Sequence, residues 1–524
     1  METIGVVDQL FYKADQHEVV SLVMGGASIL EPVQSDTPLQ ANVIADHIGA
    51  RLEQVPLLRK KFVQDPLRIG SVRKVEDPDF DIREHIAVRS LPAPGGQREF
   101  TDAMAELSAR PLTVSHLWRY TVIDGMEGGK LAIVCQMHHA LFDGLGAMDA
   151  LSAMYDPAPV TPEIPRGRPE PPADEPSPYA LLVDAIAEST RRLLVKTPRF
   201  LRNNSLPLLG SLASGFRSLV TGDSDAISLP TLNKTSLNIG SSSGTRSVAY
   251  KTLSLPEIKT LARHFHCTVN DVALLLYSYA LQHYFSETGE DIDFDLVCGM
   301  PISTRQEGAS VGNQVVAARI KLHNTIDDPV KRLQAIQQET LEGKKSSRPE
   351  ELPFDASELA EVIPPRMLDA LAYLFARLNL WALLGSHIPV FNALLSNVPG
   401  PPGQMYIANA LLTESIPLIP AVGLIAVSSG ITSVSGSLTF GFHCDGEAVT
   451  EPELMARGVE LGLDALRKAS GTARKSRGRK KGGAAAAREK SREKSRVKSP
   501  EKSRSKNSPA KRKKAPAKAA TATK

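Results

Sequence analysis

Two adjacent histidines, His138 and His139, follow the apolar run Leu131 to Met137 and precede Ala140-Leu141-Phe142-Asp143-Gly144. An imidazole titrates near neutrality. It can therefore take the proton from a hydroxyl, which is otherwise a poor nucleophile at pH 7. Asp143, four residues on, can fix the loop or the imidazole, directly or through a partner cation. Gly144 permits a backbone conformation or a close approach that a side chain would block. The same segment also fits a structural histidine pair at a strand end. A metal site would need more ligands, and no HxxxH or HExxH lies nearby. The four cysteines, Cys135, Cys267, Cys298 and Cys444, form no CxxC pair. They read as buried thiols in a reducing compartment.

The elements around the pair suit it. Strands are expected near His116 to Ile123 and Leu131 to Met137, joined by a turn from Asp124-Gly125 to Gly128-Gly129. Thr101 to Arg110 has helical periodicity. Asp143-Gly144 opens a further helical pattern, with Leu145, Met148 and Leu151 on one face. Strand, tight loop and helix expose an imidazole at the mouth of a cleft.

A second stretch with the same alternation begins with a strand at Arg246 to Leu253 and a helix at Leu255 to His264. Another helix starts near Thr268, and strands follow at Phe294 to Met300 and Gln314 to Leu322. An apolar helix is expected at 366–384. Strands are expected at Gly423 to Ser429 and Ile431 to His443, and a last helix at Glu451 to Arg467. Thr268 with Asp271 fits an N-capping box. Ser396-Asn397-Val398-Pro399-Gly400-Pro401 fits a turn after an apolar run.

The expected organisation is an α/β (α+β) chain of two mixed-sheet subdomains, 1–155 and 245–468. A Pro-rich linker and helical connector at 156–244 joins them, and a basic tail follows at 469–524. Residues 471–524 hold 21 Lys+Arg against 3 Asp+Glu, a charge of +18. The other residues hold 40 against 55, or −15. Rich in Lys, Ser, Ala and Pro, the tail is expected to be disordered. Anionic lipid, nucleic acid or solvent alone would suit it. The N-terminus lacks a secretory pattern, and no apolar run is long enough to span a bilayer. The expectation is a cytoplasmic or peripheral protein. The run around Leu371, Phe375, Leu378, Leu380, Trp381 and Leu384 fits either a core helix or one docked on lipid.

Met137 to Gly144 resembles the HHxxxDG active-site segment of bacterial wax ester synthase/diacylglycerol acyltransferases. Thr268-Val269-Asn270-Asp271-Val272 resembles that family's Asn-Asp segment, and Pro301-Ile302-Ser303-Thr304-Arg305 its "PVSxR" strand end. Gly312-Asn313-Gln314 and Ser396 to Pro401 follow in family order, so the likeness spans roughly residues 5–465. It implies two chloramphenicol-acetyltransferase-like subdomains with a central substrate tunnel. It also implies transfer of a fatty acyl group from acyl-CoA to a long-chain alcohol or diacylglycerol. In that scheme His139 is the general base and His138 packs under or positions it. Asn270 is a candidate oxyanion donor, Asp271 is supporting, and Arg305 is a candidate partner of Asp143. No cofactor, metal or covalent intermediate is implied, acyl-CoA being a substrate. The enzyme would sit on the inner membrane or on lipid inclusions. Alternatives are an acyltransferase with another acceptor, or a non-catalytic relative that binds lipid droplets. One departure bears on the acceptor. The family often has Pro-Leu-Trp before the active-site strand, whereas here Arg110-Pro111-Leu112 precedes Thr113, and Trp118 comes later.

Overall fold

Fifteen strands are named in chain order: β1 (Glu2–Thr3), β2 (Val23–Pro32), β3 (Lys60–Val63), β4 (Arg73–Glu76), β5 (Ile86–Ser90), β6 (Trp118–Asp124), β7 (Leu131–His138), β8 (Arg246–Ser254), β9 (Val297–Ser303), β10 (Val315–Lys321), β11 (Ala393–Pro399), β12 (Tyr406–Ile407), β13 (Ala410–Leu418), β14 (Val427–Val434) and β15 (Ser437–Asp445). The α-helices used below are α1 (Val6–Gln16), α2 (Ala41–Leu52), α3 (Gln97–Ala109), α4 (Pro178–Arg191), α5 (Leu255–His264), α6 (Val269–Thr288), α7 (Pro329–Ser346), α8 (Pro365–Arg377) and α9 (Glu453–Ala469). They belong to a computed structural model that describes residues 2–16, 23–33, 40–52, 55–113, 116–141, 153–159, 175–204, 232–240, 242–303, 315–346, 362–378, 391–400, 403–420 and 424–471. Residues 1–471 make up one compact unit.

Two six-stranded sheets dominate. Their orders are β12-β13-β2-β7-β6-β5 and β10-β9-β11-β14-β15-β8, and a small sheet runs β1-β4-β3. Both large sheets are mixed. β5 runs parallel to β6, and β11 runs parallel to β9 and β14. β7 shows why the first sheet forms where it does. Leu131, Ile133, Cys135 and Met137 point into one core, and Ala132 and Val134 into another. A strand covered on both faces needs apolar residues at every position rather than at alternate ones. The second sheet is covered by α6, whose buried residues include Val272, Leu275 and Leu276. Thr268 caps α6 at its start, and Gly289, at φ 78°, ends it in the left-handed conformation that suits glycine.

β12 and β13 come from the second half of the chain but complete the first sheet, β13 pairing antiparallel with β2. The first sheet is therefore not made from residues 1–155 alone. The crossing is close because glycines face it. Gly430 and Gly441 are register partners in β14 and β15. A Cβ on Gly441 would lie 2.3 Å from the Pro417 carbonyl oxygen, and one on Gly430 2.7 Å from Pro417 Cβ.

Several expected elements stand within a few residues of their predicted ends. The α5 bounds coincide with the prediction, and α3, β8, β9, β10 and α9 are close to it. Two expectations fail. Ile431 to His443 is not one strand. The chain reverses at Ser435 and Gly436, both at positive φ (48° and 83°), a two-residue hairpin loop. Ser396 to Pro399 is not a turn but the end of β11, paired parallel to β14. The helix expected at 366–384 is α8 through Arg377; residues 379–384 lie outside the described residues, as do 143–151, 305–314 and the tail from 472. No described helix is long and apolar enough to cross a membrane.

Candidate active site

β7 ends in a tight, anchored turn. The His138 amide donates to Leu117 O at 2.7 Å, and the Leu141 amide donates to His138 O at 2.9 Å. Ala140 and Leu141 are fully buried and belong to the core beneath the sheet. His139, between His138 and these two, is half-buried.

The two histidines have different surroundings. His138 is 2 % exposed. Its Nδ1 accepts the Ala140 amide at 3.1 Å, which leaves the neutral ring's proton on Nε2. Nε2 faces Asp15 Oδ2 at 3.5 Å, longer than a good hydrogen bond. The Tyr12 ring stands edge-on to His138, with centroids 5.9 Å apart. Both residues come from α1, as does Lys13. The Lys13 ammonium is buried, donates to Gln64 Oε1 at 2.8 Å and lies 3.3 Å from Asp369 of α8. Burial pushes Lys13 below its usual range, and Asp369 opposes that shift. Burial also pushes the Tyr12 hydroxyl up to about 12, so Tyr12 stays protonated and is no base. His138 is thus held at the end of β7 by the Ala140 amide and by its contacts with α1.

The Asn-Asp pair divides in the same way. Asp271 is 3 % exposed. Its Oδ2 accepts from Thr268 N and Thr268 Oγ1, both at 2.8 Å, and its Oδ1 accepts from Thr340 Oγ1 of α7 at 2.8 Å. The carboxylate is fully used in the expected capping box and in tying α6 to α7. Asn270 is half-buried, and its Oδ1 accepts from Asn397 Nδ2 at 2.9 Å. Two separate sequence segments thus meet where the N-terminus of α6 reaches the end of β11. That pair belongs to the second sheet, and His138-His139 to the first.

Asp143, Gly144 and Arg305 lie outside the described residues, so the Arg305–Asp143 pair does too, as does any tunnel that they border. A described cleft of about 650 Å³ lies elsewhere, lined by Gln97, Thr101, Tyr250, Lys251, Glu453 and Arg457 among others. Among the described residues no group of three His, Cys, Asp or Glu could hold a metal ion. The cysteines are free, and burial raises Cys135 and Cys267 to about 11, so neither is a ready nucleophile. Sequence reasoning missed Tyr12, Lys13 and Asp15, because nothing local in α1 announces a partner on a distant strand.

The fold is that of an acyltransferase. A wax ester synthase/diacylglycerol acyltransferase from Marinobacter aquaeolei VT8 shares it, with a TM-score of 0.61 and 19% identity, over 90% of this chain and all of that one. The family described as wax ester synthase/diacylglycerol acyltransferase catalytic domain matches residues 4–273, and the WS/DGAT C-terminal domain matches 311–467. This chain belongs to the wax ester synthase/diacylglycerol acyltransferase family. Among curated relatives, a putative diacylglycerol O-acyltransferase of Mycobacterium bovis is 28% identical over 475 residues, 88% of this chain and 97% of the relative. A probable diacylglycerol O-acyltransferase of Mycobacterium tuberculosis is 26% identical over 470 residues, 88% of this chain and 94% of the relative.

Proposed function

We propose that this acyltransferase moves a long-chain fatty acyl group from acyl-CoA to the hydroxyl of a long-chain alcohol or diacylglycerol. The product is a wax ester or a triacylglycerol. The names carried by its relatives support the substrate class. One observation supports the base: the half-buried His139 stands at the end of β7 beside His138, whose Nδ1 accepts the Ala140 amide and whose Nε2 faces Asp15.

His139 removes the hydroxyl proton as the oxygen attacks the thioester carbonyl. The carbonyl oxygen gains the negative charge of a tetrahedral intermediate, and the Asn270 Nδ2 amide donates to it. The C–S bond then breaks, the ester forms, and the CoA thiolate takes the proton from the His139 imidazolium. Atoms and charge balance without a covalent enzyme intermediate. In this reading Asp143 orients the base, with Arg305 as its partner, and Gly144 permits the close approach. The enzyme works in the cytoplasm, at the surface of the membrane or of lipid inclusions. Its tail attracts a polyanion, anionic lipid or nucleic acid.

His139→Ala is expected to abolish thiol release from palmitoyl-CoA in the presence of hexadecanol or a diacylglycerol. Its circular dichroism and melting temperature should match those of the unaltered enzyme. Near-normal turnover in a folded His139→Ala variant would overturn the assignment.

A further inference from the structure

Helices on the surface of a water-soluble fold turn their apolar side inward. The helix that begins as α4 buries Leu181, Ala185 and Phe200 in this way, yet it carries a second apolar stripe on its outer side. It passes through a π-turn at Arg192–Lys196 and continues over 197–204. Its inner side also carries charge. Arg192, only 7 % exposed, donates to Glu188 Oε1 at 2.8 Å, and Glu188 accepts the Ser71 amide at 3.2 Å. Its outer side carries Tyr179 (76 % exposed), Leu193 (68 %), Leu194 (67 %), Val195 and Leu201. A π-turn adds a residue to the helical repeat, and this one presents three consecutive apolar side chains to the outside. The two acids of this helix are engaged, Asp184 with Arg73 at 3.8 Å and Glu188 with Arg192. Its exposed charges, Arg191, Arg199 and Arg202, are all basic.

α8 repeats the pattern. Its one acid, Asp369, turns to Lys13 and Arg68, at 3.3 and 3.6 Å. Met367, Leu371, Tyr373, Leu374 and Leu378 are exposed, beside the exposed bases Arg366 and Arg377. A single loop lies against both helices. Its Arg68 reaches Asp369, and a Cβ on its Gly70 would stand 2.6 Å from Ala185 Cβ of α4. Leu67 of this loop is 56 % exposed.

We propose that the outer faces of these two helices, with Leu67 between them, form a docking surface for an anionic phospholipid bilayer. Apolar side chains interleaved with bases, with each acid paired to a base, are what an interfacial helix requires. The bases here run against the −15 charge of the chain outside its tail. The nature of the occupant rests on the acyl-acceptor reading above, whereas the surface itself involves no catalytic residue. Docking there also brings lipid close to the chemistry. Asp369 holds Lys13, and Tyr12 and Asp15 of the same helix touch His138.

The full-length protein with phosphatidylcholine vesicles, with and without phosphatidylglycerol, tests this by hydrogen exchange and co-sedimentation. Exchange should slow within 178–204 and 365–378 on phosphatidylglycerol vesicles, and not within α9. Leu193→Asp with Leu194→Asp, or Leu371→Asp with Leu374→Asp, should each weaken vesicle binding by about tenfold or more. Leu461→Asp, at an exposed leucine of α9, should not. Arg191→Gln with Arg199→Gln and Arg202→Gln should reduce the preference for phosphatidylglycerol, the remainder coming from Arg366, Arg377 and the tail. His139→Ala should bind vesicles as the unaltered protein does, so a failed catalytic assignment and a failed docking surface give different results. Three results would overturn the proposal. One is vesicle binding with no change in the two segments, which would place it in the tail. Another is slow exchange in both segments before vesicles are added. The third is slowing driven by protein concentration alone, the sign of a second copy.

Discussion

Asp271→Ala separates a structural from a catalytic role within the Asn-Asp pair. Its carboxylate accepts from Thr268 N, Thr268 Oγ1 and Thr340 Oγ1, all at 2.8 Å, and is buried. Removing it deletes the capping box, which costs about 1 kcal/mol. It also strips the Thr340 hydroxyl, on a 7 % exposed residue, of its Asp271 acceptor, although that hydroxyl lies 3.0 Å from Gln337 O as well. A lost buried hydrogen bond of this kind costs about 1–3 kcal/mol. The sum is about 3 kcal/mol. For a unit of this size the unfolding entropy makes that a fall of about 3 °C in melting temperature. If Asp271 is structural, kcat of the folded variant at 20 °C stays within about twofold of the unaltered enzyme, since about 0.4 kcal/mol is the matching change in barrier. Asn270→Ala should do the opposite. It leaves the melting temperature nearly unchanged and lowers kcat by about a hundredfold, the usual loss for an oxyanion donor. Calorimetry and thiol-release kinetics on both variants decide. A large kcat loss in Asp271→Ala without destabilisation, or normal kcat in Asn270→Ala, would refute the division of roles.

Two further outcomes concern the framework. Burial lowers His443 to about 4, with its Nδ1 2.7 Å from Ile419 O. Its folded value is below the unfolded one of about 6.5, so the unfolded chain binds the proton first as pH falls. His443 thus costs stability progressively from about pH 6.5 down to about pH 4, by about 3 kcal/mol at most. His443→Gln should flatten the urea midpoint against pH over that window, by about one proton's slope. Gly441→Ala places a Cβ 2.3 Å from the Pro417 carbonyl oxygen, so β13 must move off β15. Loss of more than about 4 kcal/mol, or no soluble protein, is expected and can be measured by urea denaturation.

The sequence alone determined the parts of this protein that depend on neighbours a few residues away. A largely apolar run marked β7 as a strand, and Thr268 with Asp271 announced the start of α6. The order of several short segments carried the family and therefore the class of reaction. Tertiary structure decided the rest. Val23–Pro32, with its paired glycines, gives little strand signal, yet it is central because β7 and β13 flank it. Nothing local tells that β13 leaves its own half to complete the first sheet, or that Gly430 and Gly441 exist to let Pro417 pass. The identical types of His138 and His139 hide their difference, which arises only when Asp15 and Tyr12 arrive from α1 against one ring. Periodicity reports which side of an element is apolar; only packing reports which side faces inward, and α4 and α8 leave apolar side chains outside as well as burying Leu181, Ala185, Leu368 and Ala372.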